Sequence, residues 1–297
     1  MYVKPTAPRS IGGIVDDGIK LYGSAFAKSW PLSLLAQVLL AVPALILRYQ
    51  MSGMQISVTN PQATQAMLAI FKSPSVWLSY IVMVIVFVGS YNALLVLLDG
   101  VAETKAESFG RSLAAGFRLM PRTILLFIVL GLAAAVVTLV VGIVGGILTA
   151  VLSRVLGSVI SPIVIVLFGG FVIYVWGRLF LSNIVLVVED AGVFKSLGTS
   201  WALIKNHWWR AATIYTMALI LVIVFYFLIG FATAALVGVT MQGAFGMRAI
   251  IAQLVSMAGG TVLMSLVPAV LLTMYHDLKL RKEGTDLAGR VDALAAR

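Results

Sequence analysis

Cysteine is absent from the 297 residues, which excludes disulfide frameworks, thiolate metal sites and cysteine nucleophiles. Histidine occurs twice, at His207 and His276, too few and too far apart for a histidine-based metal site. Charge is scarce: 11% of residues are Asp, Glu, Lys or Arg, against roughly 25% in an ordinary soluble domain. Also missing are a phosphate-binding Gly-Lys-Ser loop, a serine nucleophile elbow and a His-Glu-x-x-His pair. The largest loop between apolar runs is Tyr49 to Ser75, about 27 residues. A soluble catalytic domain takes at least about 50. No catalytic residue, cofactor or metal is therefore expected, and the chain reads as a non-enzyme. What it has in abundance is apolar surface. Hydrophobic residues make up 61% and the mean hydropathy is +1.06, more than one water-soluble core hides. The expectation is an all-α integral membrane protein.

A helix needs about 20 apolar residues to cross a bilayer. Runs of that kind are Pro31 to Leu47, closed by Arg48, and Val76 to Leu98, closed by Asp99. Thr123 to Val188 is apolar except at Ser153-Arg154 and the Gly157 to Pro162 turn, which leaves room for two spans and an uncertainty of one helix. Ala211 to Val239 and Ala249 to Met274 complete the set. Six spans are expected, at about 31–48, 76–98, 123–152, 160–188, 211–239 and 249–275, in a membrane domain over 29–278. An amphipathic segment (1–28) precedes them and a charged tail (279–297) follows. Residues 1–28 carry Asp16, Asp17, Lys20 and Lys28 and lack a continuous apolar stretch, so no cleaved signal peptide is expected.

Sorting the 21 Lys and Arg by this topology places sixteen on the side of the termini, with all 11 acidic residues. Arg48, Lys72, Arg154 and Arg248 fall on the other side, and Arg178 lies inside span four. The positive-inside rule then puts both termini in the cytoplasm of a bacterial inner membrane. The net charge of +10 needs no nucleic-acid partner. It serves topology and attracts anionic lipid headgroups at the cytoplasmic face. A monomer and a small homo-oligomer fit equally, and protein partners are not legible.

Each odd-numbered span is preceded by a short amphipathic segment. Ile11, Val15, Ile19 and Tyr22 share their spacing with Phe109, Leu113, Phe117 and Met120, and with Val193, Leu197, Trp201 and Ile204. The spacing i, i+4, i+8, i+11 makes one helical stripe, and the copies lie 98 and 84 residues apart. Gly18, Gly116 and Ser200 each precede the third apolar position. The expected unit is a cytoplasmic interfacial helix followed by a transmembrane hairpin, used three times, with interfacial helices at about 107–120 and 191–206.

Arg178 lies 11 residues before Glu189, the expected end of span four, hence about 16 Å deep on a straight helix. An arginine at that depth marks a functional site by default. Polar neighbours are expected from Asn183 on the same span and from Tyr91, Asn92 and Asp99 on span two. Two readings fit: a site for a lipid phosphate or anionic solute, or interhelical glue in which Arg178 bonds Asn92 or backbone carbonyls. Glu189-Asp190 reads as a helix cap rather than an acid–base pair. Trp201, Lys205, Trp208, Trp209 and Arg210, with His207 among them, read as an interfacial anchor beside span five. Gly142 to Gly146 has GxxxG spacing, which permits close helix packing.

A family resemblance rests on the run Gly177-Arg178-Leu179-Phe180, then Ile184 to Val188, then Glu189-Asp190-Ala191-Gly192-Val193-Phe194-Lys195-Ser196-Leu197. It continues with Ser200-Trp201-Ala202-Leu203-Ile204-Lys205 and Trp208-Trp209-Arg210. Pro8 to Gly12 with Gly18 to Tyr22, and Tyr275 to Leu287, agree with it. These motifs resemble the membrane domain of glycerophosphoryl diester phosphodiesterase and its YciC-like inner-membrane relatives, over nearly the whole chain. In family members that carry one, the fused phosphodiesterase barrel is the catalytic part, and this chain has none. The resemblance therefore implies a stand-alone multi-span protein and gives Arg178 and Glu189 no catalytic role. The expected function is a non-catalytic envelope protein that interacts with lipids or scaffolds partners. The alternatives are a transporter of a lipid or small amphiphile and, behind it, a membrane-embedded phosphodiester-processing enzyme.

Overall fold

The structure is a computed structural model that describes residues 2–51, 69–70, 72–105, 107–156, 160–240 and 245–295. The described residues fold into helices α1 (Ile11–Met51), α2 (Pro74–Ala102), α3 (Phe109–Leu156), α4 (Ile160–Leu179), α5 (Ser182–Val188), α6 (Val193–Ile204), α7 (Trp208–Thr240), α8 (Phe245–Leu263) and α9 (Leu266–Ala295). Among them six spans are long and apolar enough to cross a membrane. The protein is an all-α, multi-pass integral membrane protein. Most of the Tyr49 to Ser75 loop and residues 157–159 of the expected Gly157 to Pro162 turn lie outside the described residues, while Ile160 to Pro162 of that turn are already helical, in α4.

Helix boundaries depart from the sequence reading at the C-terminal side, where α9 runs on past the expected end of span six and through the expected tail to Ala295, and at four places before it. The amphipathic segment within 1–28 is not separate from the first span, because α1 runs unbroken through Pro31 and Pro43. The interfacial helix expected at 107–120 is likewise the start of α3, which continues through Pro121 for 48 residues in all. Span four divides at Phe180-Leu181 into α4 and α5. In lipid, freed backbone groups need internal partners. Ser182 Oγ donates to the Leu179 carbonyl (2.6 Å) and Ser200 Oγ to that of Arg178 (2.8 Å). Span six divides at Met264-Ser265, where Pro268, early in α9, has no N–H for the Met264 carbonyl.

The α2 and α5 termini share one device. In each the residue after the cap has positive φ (Thr104, 55°; Asp190, 46°). The next N–H reaches back to the third-last helical carbonyl: Lys105 to Gly100 (2.8 Å) and Ala191 to Leu186 (3.1 Å). This is a Schellman closure made without glycine. Each capping residue is a glutamate, Glu103 and Glu189.

The chain forms two compact units. One comprises Met1–Lys4, Asp16–Met120 and Met217–Val270; the other comprises Pro5–Val15, Pro121–Thr216 and Leu271–Arg297. In the first, Leu94, Leu95, Leu97 and Leu98 of α2 are fully buried, and glycine permits close helix contact twice. A Cβ on Gly116 would lie 2.4 Å from the Gly89 carbonyl oxygen and the Ala93 nitrogen, and one on Gly18 would lie 2.7 Å from Val270 Cα. In the second unit α6 packs on both α4 and α5. There Ser200, at the corresponding position of its segment, makes the hydrogen bond to Arg178. Apolar exposure follows the spans: Trp77, Leu78 and Ile81 in α2, and Ile165, Val166 and Leu167 in α4, are open to the surroundings. Lipid is as apolar as these side chains, so within a bilayer their exposure carries no hydrophobic penalty.

Candidate functional site

Arg178 occupies the last turn of α4 and is only 7% exposed. Tyr174, four residues earlier on the same face, holds its ring centre 4.6 Å from the guanidinium carbon. Trp201 of α6 approaches to 4.5 Å. Such contacts contribute about 0.5–2 kcal/mol each, more as water is excluded. The guanidinium Nη2 donates to the Lys205 carbonyl at 3.2 Å. Lys205 caps α6, so this carbonyl belongs to the acceptors a helix end leaves unpaired. Ser200 returns a hydrogen bond to the Arg178 carbonyl, so each helix end satisfies the other. Arg178 Nε is buried without a hydrogen-bond partner. Among the described residues no carboxylate pairs with Arg178.

A depth of about 16 Å for Arg178 requires one straight helix as far as Glu189. Instead α6 follows α5 and a short turn, and packs back on both α5 and α4. It thereby brings Trp201 and Lys205 against Arg178. The arginine thus joins the aromatic and basic residues of the expected anchor. Asn92 bonds elsewhere, through Nδ2 to the Gly116 carbonyl at 3.5 Å. Tyr91 stacks on Phe87 at 6.2 Å, and Asp99 lies in the last turn of α2 with Oδ1 buried. These three residues belong to the first unit. Asn183, in the second, is 8% exposed, and neither amide atom has a hydrogen-bond partner.

Trp208 completes the group. Its Nε1 lies 2.6 Å from where a Gly177 Cβ would be, so the indole occupies a notch only glycine leaves. Trp208 also packs on Tyr174 (5.7 Å between centroids) and edge-on against Trp209 (4.7 Å). Together with Gly170, Ile173 and residues 205–210, these rings line a cleft of about 770 Å³. Lys205 is exposed in its wall. Arg210 is engaged: it bonds Asp277 at 3.2 Å and also donates to the Arg9 carbonyl. Arg281 bonds Asp277 at 2.8 Å, and the Arg9 N–H donates to the same carboxylate at 2.8 Å. Burial pushes the His207 imidazole below its usual value, and the charges of Arg281 and Arg210 push it further against the pull of Asp277. His207 is therefore neutral at pH 7.

A second cluster lies at Glu189, which accepts from Tyr275 Oη (2.6 Å) and Lys279 Nζ (2.9 Å). Burial alone would raise its pKa; the Tyr275 and Lys279 hydrogen bonds and the lysine charges prevail and lower it. Sequence reasoning missed Tyr174, Ser200, Tyr275 and Asp277. The i, i+4 relations of Tyr174 to Arg178, Tyr275 to Lys279 and Asp277 to Arg281 were available as signals. Among the described residues no three His, Asp or Glu side chains gather as a metal site.

Fold and site define a multi-pass helical membrane protein whose most distinctive chemistry is a buried, aromatic-boxed arginine beside a basic cleft. Compared with known proteins, the chain matches no family model, no curated protein and no solved structure.

Proposed function

We propose that this is a non-catalytic protein of a bacterial inner membrane, both termini cytoplasmic, that interacts with anionic phospholipid through its basic, tryptophan-rich face. The observation that carries this reading is the meeting of Arg178 and Lys205 with four aromatic rings at the end of α4, where Arg178 has no carboxylate partner among the described residues. Aromatic and basic residues of this kind sit at headgroup level in membrane proteins. The sixteen cations on the side of the termini support the orientation. The likeness to the phosphodiesterase membrane domain and the YciC-like proteins supports an envelope role. The test is lipid analysis of protein extracted in mild detergent: anionic lipid should be enriched over its share of the source membrane. Unchanged lipid proportions, with no co-purifying protein, overturn the reading.

A second reading, movement of a lipid or small amphiphile, draws on the open, glycine-lined groove between α3 and α4. Faster transbilayer exchange of labelled lipid in proteoliposomes would replace the first reading with this one.

A further inference from the structure

Two concavities of the second unit meet at Ile173. The first is the basic cleft of about 770 Å³. The second is an apolar groove of about 820 Å³ between Thr138–Ala150 of α3 and Ser161–Ile173 of α4. Gly142, Gly146 and Gly169 line this groove, and a Cβ on any of them would meet nothing within 4 Å. Close packing within the chain therefore does not explain these glycines, although glycine is among the poorest helix formers. From Ser161 to Ile173 the groove runs for 12 residues, about 18 Å, close to the roughly 15 Å of hydrocarbon in one leaflet.

The cleft is cationic where the groove is apolar. Lys205 is exposed and makes no ion pair with a described residue. Trp208 Nε1 is turned into the notch at Gly177, away from the cleft, and Arg178 stands behind Tyr174 and Lys205 of the cleft wall, where its charge adds to the positive field. No carboxylate lines the cleft, and the nearby Asp277 is occupied by Arg210 and Arg281. The cationic end of a choline or ethanolamine headgroup finds no carboxylate there; the ring faces could hold it, but Lys205 and Arg210 in the same wall repel it.

We infer that groove and cleft form one site for an anionic glycerophospholipid, its phosphate against Lys205, beside the Trp208 and Trp209 rings, and one acyl chain along the glycines of α3 and α4. The inference rests on the lipid-binding reading above and adds a location, a headgroup charge and a chain path. The probe is an equal mixture of dioleoyl-phosphatidylglycerol and dioleoyl-phosphatidylcholine presented to the delipidated full chain, with retained lipid counted by native mass spectrometry. Wild type should retain the glycerol lipid preferentially. Lys205→Glu should lower that retention about tenfold, the loss of one charge-assisted contact. Lys28→Glu, a charge reversal at an exposed lysine of the first unit, should not. Gly146→Leu should lower retention of both lipids while leaving thermal stability equal or higher, because leucine is the better helix former and fills open space. Damage to the fold does not give that combination. A wild type without preference overturns the lipid-binding reading itself. A preference that survives both Lys205→Glu and Gly146→Leu overturns only the location, and displacement by excess inorganic phosphate overturns the lipid in favour of a free anion.

Discussion

The helices that start at Phe109 and Val193 carry the same apolar spacing, yet one runs for 48 residues and the other for 12. Both turn a small residue towards the preceding even-numbered span. At Gly116 two backbones nearly touch; at Ser200 a hydroxyl spans the gap to Arg178. Past this point the segments diverge. The first continues through Pro121. The second stops at Ile204, where Arg178 takes the Lys205 carbonyl and Trp208 drops into the notch at Gly177. The shared stripe is only partly buried, with Phe109 and Trp201 exposed; the buried face of both segments is the small-residue row beside it, Ser112 and Gly116 in one and Ser196 and Ser200 in the other, while the end of α6 is set by capping groups from a different element.

The most severe way to test this comparison is Gly116→Val. Its side chain would displace the backbone of α2, so the cost should exceed the about 1–3 kcal/mol of ordinary overpacking. Loss of the monodisperse peak in detergent size exclusion is expected; a normal elution and melting temperature would refute the close contact. Next comes Arg178→Met. It removes two ring contacts and a charged hydrogen bond but also relieves a desolvated charge, leaving a net loss of about 1–3 kcal/mol. Amide exchange should quicken selectively around residues 205–207. Unchanged exchange there would mean that something other than Arg178 ends α6. Ser200→Ala should cost about 1 kcal/mol, one neutral hydrogen bond, read as a small drop in melting temperature. No drop at all would leave the small side chain, not its hydroxyl, as the shared feature.

The smallest effects concern the two capping glutamates. Lys105 and Lys4 hydrogen-bond Glu103 and bring its pKa from 4.5 down to about 2. Glu189 is also lowered. A carboxylate lowered by folding contributes stability that is complete above its unfolded value and is lost as pH falls through the folded one. Stability should therefore decline below pH 4.5 towards about 2 on account of Glu103, and Glu103→Gln should flatten that decline. Glu189→Gln should remove a separate acid-sensitive component starting below the same ordinary value of 4.5. Each pair is partly exposed, so each effect stays at or below about 1 kcal/mol. Acid titration of the melting temperature separates them, and identical curves for wild type and both variants would show the pairs to be idle.

Six spans were legible because each is a long apolar run closed by charge or a turn. The aromatic and basic cluster at 201–210 was legible from composition. The division of span four was not: it depends on Ser200, 20 residues beyond it, supplying a hydroxyl to Arg178. A separate helix was expected at 191–206, where α6 spans Val193–Ile204, and by the same spacing at 107–120, where α3 instead runs on without a break; the stripe alone does not tell the two apart. Arg178 was recognised for its cost in lipid, but its expected neighbours were drawn from span two. Its ring contacts come from Tyr174, one turn earlier on its own helix, and from Trp201 of α6.

The pairing of Arg9 with Asp277 joins residues 268 apart, and the bond from Thr273 to the Ile14 carbonyl joins residues 259 apart. A ribosome adding about 5–20 residues per second finishes the partner tens of seconds after Arg9 has emerged. For that interval the Arg9 N–H lacks its carboxylate, whereas the Arg9 carbonyl gains Arg210 earlier in synthesis. The bonds between the start of α1 and α9 therefore close only after all the intervening spans have been made.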